Sequence, residues 1–398
     1  MDAHYGTAAF AVAFAWDSGK VLRLGRRRLR LNREMEAINQ IIVTGVPGLE
    51  LASETARMFR RVQPGGYILF GRNVGSPRQL RKLVDDLRDL SEVEPLIMVD
   101  EEGGRVSRLR KLGNELPGPQ QYRERGDRSL IARHGQLTGQ LMRLFGMNLD
   151  LSPVVELSFD DEADNSLRGR CYGTSPGQVV ELAGAFNRAV RAEGVLSCGK
   201  HFPGYAGVAV DPHHELPVAR RSRAELDAAE WIPFRKLLGE LDSIMTGHAW
   251  YPCFDTRQTP SSLSVKIVRE LLRAAMGYRG LVLSDDLDMG ALLRRYSQEE
   301  TVRLAVEAGN DQVLICHRVD SIPRAARALK SVSGKEIERA LGQIHEAKQK
   351  LSPPDPFSES RFAELDRKVW DLRVETLGET RAKERSVDSR KRSPVERY

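Results

Sequence analysis

The chain of 398 residues has only four cysteines, Cys171, Cys198, Cys253 and Cys316, with neither CxxC spacing nor the density of a disulfide-stapled secreted domain. Reduced thiols in the cytoplasm are the expectation. No apolar run approaches the roughly 18 to 20 residues of a membrane helix, which excludes an integral membrane segment. The run AAFAVAFAW at Ala8 to Trp16 is short, and its positive charges follow it, the reverse of a secretory signal. HExxH, CxxC and carboxylate-rich metal patterns are missing, as is a P-loop, so neither a metal nor another cofactor is expected. Aromatic residues make up 6% against 41% apolar residues overall, which suits an ordinary soluble core.

The formal charge of +6 points toward a polyanion until it is located along the chain. Residues 1–34 and 381–398 each carry seven Lys or Arg against three Asp or Glu, so the body is slightly acidic. Basicity confined to the ends reads as solvated tails, and no nucleic-acid partner is expected. Met35 opens a stretch that leads directly into the first apolar run, so residues 1–34 are expected to be a dispensable extension or a misplaced start.

Eight short apolar runs follow: IIVTGV at 41, YILFG at 67, PLIMVD at 95, MNLDLSPV at 147, LSCGKHF at 196, SIMTGH at 243, LVLSDD at 281 and QVLIC at 312. Continuous short runs of this kind suit parallel strands buried on both faces. Between them lie helical patterns, among them those after Gly75, Thr174 and Leu263, opened by Ser or Thr and twice closed by Gly. Strand and helix alternating eight times predict an α/β fold, a single (β/α)8 TIM-type barrel over residues 35–351 with flexible N- and C-terminal extensions. The long segments after the third, fourth and fifth strands, roughly 101–127, 155–174 and 203–221, assign the working face to the C-terminal ends of the strands. Ionisable residues gather at those ends: Asp100, Asp150, Lys200 with His201, His248, and Asp285 with Asp286. One such residue is ordinarily a cap or a satisfied core group. Five strands ending this way cost desolvation energy, and that convergence predicts an enzyme.

In order, the motifs are DEEGGRVSR from Asp100, GRCYGTSP from Gly169, KHFPG from Lys200 with a downstream DPH, IMTGHAWYP from Ile244 and GLVLSDDLDMGAL from Gly280. Together they resemble glycoside hydrolase family 3, in its single-domain β-N-acetylglucosaminidase branch of peptidoglycan recycling, from about Ile41 to Cys316. The resemblance implies retaining hydrolysis of terminal β-linked N-acetylglucosamine from muropeptides of the GlcNAc-anhydroMurNAc type, through a covalent glycosyl-enzyme. Asp285 would be the nucleophile, an ionised carboxylate on a rigid strand end. Asp286 points the other way on an extended chain and reads as structural. The resemblance implies His213 as acid/base with Asp211 orienting it, an i, i+2 pair that can face one side of a loop. His214 is a rival by proximity. Asp100, Arg108, Arg170, Lys200 and His201 would bind the sugar, a carboxylate accepting from hydroxyls while Arg and Lys donate. His248 reads as a core or supporting histidine.

The chain departs from the branch at Tyr205-Ala206-Gly207, where His-Gly-Asp is usual, at Pro212 in place of Ser, and at Glu156 in place of Asp, a change expected to act on packing. A phosphorylase, another exo-glycosidase of the family and a non-catalytic sugar-binding barrel stay open beside the hydrolase. The sandwich domain of many family glucosidases is not expected, since few residues follow the barrel. Residues 352–398 form a basic C-terminal extension, with disorder expected from about Arg373. The expected partner is a small carbohydrate or muropeptide, and the expected state a monomer.

Overall fold

The computed structural model describes residues 37–162, 165–205, 208 and 215–386. Eight strands close into one parallel barrel: β1 (Ile42–Gly45), β2 (Gly66–Leu69), β3 (Leu96–Val99), β6 (Leu149–Asp150), β7 (Leu196–Phe202), β8 (Ser243–Thr246), β9 (Leu281–Asp286) and β10 (Gln312–Ile315). Each strand pairs with its sequence neighbour in the barrel, and β1 closes the ring on β10 with Ile42 opposite Val313. All eight fall on the apolar runs of the sequence, which carries the TIM-type expectation. The two remaining strands, β4 (Glu101–Gly103) and β5 (Val106–Ser107), form an antiparallel hairpin in the long segment after β3. Gly103 and Gly104 turn it with φ of +85° and +58°, which only glycine adopts without strain.

Helices cover the barrel in the order α1 (Ser53–Val62), α2 (Pro77–Asp89), α3 (Arg128–Phe145), α4 (Pro176–Ala192), α5 (Trp231–Leu237), α6 (Lys266–Ala275, π-wound), α7 (Gln298–Ala308) and α8 (Gly334–Lys348). Their starts are chemically specified. Ser76 accepts from the amide of Gln79 while the Gln79 side chain accepts from the Ser76 amide, and Pro77 occupies the first helical position. Leu80, Leu83, Val84 and Leu87 of α2 then line up on one buried face, the spacing a helix needs to seat on a sheet. Among the described residues no helix is long and apolar enough to cross a membrane.

One expectation is corrected beyond the barrel. The chain does not lose order at Arg373: α9 (Glu359–Leu377) runs through it, burying Leu365, Val369 and Leu372 against the barrel helices, with Phe362 packed on Phe145 of α3 at 5.7 Å between ring centres. Sequence polarity was misleading because α9 sets Leu365, Val369 and Leu372 on its buried face among many charges, and buries Arg373, only 3% exposed, beside them. The expected N-terminal extension of residues 1–34 lies outside the described residues.

Candidate active site

The C-terminal ends of β3 and β7 bring a chain of alternating charges together. Asp100 at the end of β3 accepts from Lys200 Nζ at 2.6 Å and from Arg108 Nη2 at 3.2 Å. Lys200 also reaches Glu102 at 2.7 Å, and Glu102 takes a bidentate pair from Arg170 at 2.8 and 2.7 Å. All but Asp100 are essentially buried. Burial alone would raise the Asp100 carboxyl, but Lys200 and Arg108 outweigh it and hold it well below the ordinary carboxylate range. Glu102 is brought down to about 2 in the same way, burial being overcome by Arg170 and Lys200. Glu101, beside it, has no such cation pair; burial pushes it up to about 7 although Ser107 and the amides of Leu109 and Arg108 donate to it.

His201, next on β7, is aimed by Glu156. One Glu156 oxygen accepts from the His201 amide at 2.9 Å and faces its Nδ1 at 2.7 Å, while the other accepts from the Tyr205 amide. A carboxylate accepts, so Nδ1 carries the proton and Nε2 is left for the cavity. Glu156 therefore sets a histidine and the first residues of the following loop, rather than merely filling space. Tyr205 closes that corner: buried, its ring lies tilted against His201 with ring centres 5.2 Å apart, and its hydroxyl accepts from the His248 amide. The tyrosine that departs from the resembled motif is thus the anchor of the loop base.

Asp285 and Asp286 end β9. The Asp286 amide donates to Asp285 Oδ1 at 2.8 Å. His248 is the supporting histidine expected: Nε2 donates to the Asp286 carbonyl at 2.9 Å, leaving Nδ1 to accept from Ser262 at 2.7 Å. Asp286 does not simply turn away, because the strand is ending; the amides of Asp288 and Cys316 donate to Oδ1 at 3.0 and 3.1 Å, and Oδ2 faces His317 Nε2 at 3.4 Å. Burial, followed by the Asp288 carboxylate, pushes Asp286 up to about 8.

Asp100, Arg170, Lys200, His201, Asp285 and Asp286 all line one cavity at the barrel mouth, floored by Ile68, Leu151, Met245 and Leu314 from the strands. The space enclosed, open solvent included, is about 590 Å³. Arg108 is not in that wall; it lies behind Asp100 at 1% exposure, with its guanidinium 5.7 Å from the Phe70 ring, and reaches the cavity through Asp100. Asp211 and His213, with the rival His214, lie outside the described residues. Asp150 is a buried support whose Oδ1 accepts from the Glu101 amide at 3.1 Å. Glu102, Glu156 and His317 were missed as site residues by sequence reasoning. Glu102 sits inside DEEGGRVSR, where three consecutive acids facing Arg and Lys motifs were the available signal; Glu156 and His317 had none, because their partners are 45 and 31 positions away.

A closed barrel with a carboxylate at the end of β9, facing a cavity walled by paired acids and bases, defines an enzyme working at the C-terminal face of a TIM-type scaffold. Residues 33–347 match the glycosyl hydrolase family 3 N-terminal domain. A β-hexosaminidase of Alkalilimnicola ehrlichii is 36% identical over 295 residues, which span 72% of this chain and 84% of that protein. A Pseudomonas aeruginosa β-hexosaminidase is 32% identical over 289 residues, 72% of this chain and 86% of its own. In three dimensions the chain is similar to a family 3 β-N-acetylglucosaminidase of Paenibacillus sp. str. FPU-7, with a TM-score of 0.77, 30% identity, and coverage of 85% of this chain and 68% of that one. The chain belongs to glycosyl hydrolase family 3 and is a glycoside hydrolase.

Proposed function

We propose that the enzyme is a retaining exo-β-N-acetylglucosaminidase that removes terminal β-linked N-acetylglucosamine from muropeptides in peptidoglycan recycling. The names of its relatives, β-hexosaminidase and β-N-acetylglucosaminidase, support the sugar. The carrying observation is that Asp285 and the network of Asp100, Lys200 and Arg170 face one cavity. In the first step the Asp285 carboxylate attacks the anomeric carbon, the glycosidic C–O bond breaks, and the leaving oxygen takes a proton from the His213 imidazolium, oriented by Asp211. In the second, water attacks the same carbon, gives its proton to His213, and releases the Asp285 carboxylate. Asp100 accepts from sugar hydroxyls and Lys200 and Arg170 donate, with His201 Nε2 completing the polar wall. Asp286, kept neutral below about pH 8, lets Asp285 hold the negative charge.

The test compares nitrophenol release from aryl β-N-acetylglucosaminide and aryl β-glucoside, in buffer with and without phosphate, for wild type and His213→Ala. Selective hydrolysis of the acetamido sugar, slowed in His213→Ala, is expected. Turnover of neither sugar, or sugar 1-phosphate as the product in phosphate, rejects the hydrolase.

A further inference from the structure

The segment beyond the family match, which ends at residue 347, is built onto the loop that carries Arg108. That loop is held from within by Glu101, whose Oε2 accepts from the amides of Arg108 at 2.9 Å and Leu109 at 3.0 Å. From without it is held by α9 and the turn after it, and by Lys111, whose Nζ donates to the Gly71 carbonyl at 2.5 Å. Asp366 accepts from the Asn114 amide at 2.5 Å and from its side chain at 2.8 Å. Glu115, 2% exposed, lies against Arg373, whose Nη1 donates to the Glu115 carbonyl at 2.8 Å and faces its carboxylate at 3.5 Å. The Ser386 amide approaches the same carboxylate at 3.3 Å, and Arg385 donates to the carbonyls of Arg110 and Gly113 at 3.2 Å each. The fit is close enough that a Cβ on Gly113 would come within 2.0 Å of Asp366 Oδ1. Arg373 in turn donates to the Ala382 carbonyl at 2.8 Å, which folds the terminal turn back over the loop.

Five residues separate Arg108 from Asn114, and three of them, Leu109–Lys111, form a tight 3-10 turn, so displacement at Asn114 is passed to Arg108. A buried guanidinium and carboxylate that lose one partner leave the other uncompensated, which makes the contact strong against disruption. We infer that residues 359–386 are a clamp on the sugar-binding loop, with Asp366 and Arg373 as positioning residues that hold Arg108 against Asp100. This rests on the sugar-binding reading of the cavity. Loss of the clamp weakens an interaction made alike with bound substrate and transition state, so KM rises and kcat stays.

The experiment takes the full chain as Asp366→Ala, Arg373→Ala, Arg373→Lys, Arg108→Met and the Asp366→Ala/Arg108→Met pair. Amide hydrogen exchange over 104–116 and kcat and KM on aryl β-N-acetylglucosaminide are measured. Exchange is expected to quicken in Asp366→Ala, KM to rise about tenfold with kcat within about twofold, and the KM effect to vanish in the Arg108→Met background. Arg373→Lys should recover part of what Arg373→Ala loses; should Arg373→Ala fail to fold, Asp366→Ala and Arg373→Lys decide. Lower thermal stability with unchanged KM, or KM effects that multiply in the double variant, overturns the clamp. A wild type that hydrolyses neither sugar sinks the functional reading separately, and the clamp then stands only if Asp366→Ala speeds exchange at 107–109 and not in the barrel.

Discussion

Glu102 is buried between Arg170 and Lys200, so its charge is tied to the folded state. Its carboxyl, ordinarily near 4.5, is brought down to about 2 because the two cations outweigh burial. The native state then binds fewer protons than the unfolded state between those values, and the stabilisation is present above about pH 4.5 and lost as pH falls through about 2. Glu102→Gln should cost about 3–5 kcal/mol at pH 7, since two buried cations lose a charged partner, and should flatten the acid limb. Urea unfolding at pH 7, 4.5 and 3 checks both; an unchanged acid slope contradicts it. The two neighbouring acids of β9 should separate cleanly. Asp285→Ala is expected to lower kcat at least about a thousandfold, as loss of a nucleophile does. Asp286→Asn keeps an acceptor for the amides of Asp288 and Cys316 and should stay within about tenfold of wild type. Equal losses in steady-state assays would reverse the assignment.

At the level of elements, the strand ends depend on one close approach. Gly247, following β8, has the Tyr205 hydroxyl where its Cβ would fall, at 2.5 Å. Gly247→Ala must therefore push Tyr205 away, detaching the His248 amide and loosening the base of the loop that carries His213. Overpacking of this kind costs about 1–3 kcal/mol. Tyr205→Phe, which leaves the ring but strands a buried amide, should cost about 1–3 kcal/mol as well. Thermal and urea unfolding measure the two, and stabilities equal to wild type would mean that the corner is not packed as described. Strand positions were legible in sequence because continuous apolar runs of four to seven residues, cut by Gly, Pro and Ser, have no other use in a parallel barrel. The helix α9 was not, because a surface helix held by Arg373 and Asp366 looks like any charged segment until Glu115 and Asn114, some 250 positions earlier, are set beside it.

For the whole molecule, every barrel strand lies at or beyond Ile42 and the family match opens at residue 33. Deleting residues 1–34 is expected to leave the thermal midpoint within about 2 °C and kcat/KM within about twofold of the full chain, no more than an ordinary surface substitution does. A fall of about 10 °C in the midpoint or a tenfold loss of kcat/KM would show that the extension serves the barrel. The sequence by itself determined the barrel, its eight strands, the mouth as the working end and the gathering there of Asp100, Lys200, His201 and Asp285, while Arg170 came only with the family resemblance. Local pattern suffices for these, since burial on both faces and the direction of parallel strands leave one end for the polar residues. Only the tertiary structure decided that Arg108 acts from behind Asp100, that Glu156 aims His201, that Glu102 ties Arg170 to Lys200 and that α9 grips the loop beside them. Each of these is a pairing of charges across long separations, and a charge carries no mark in sequence of the partner that desolvation will demand of it.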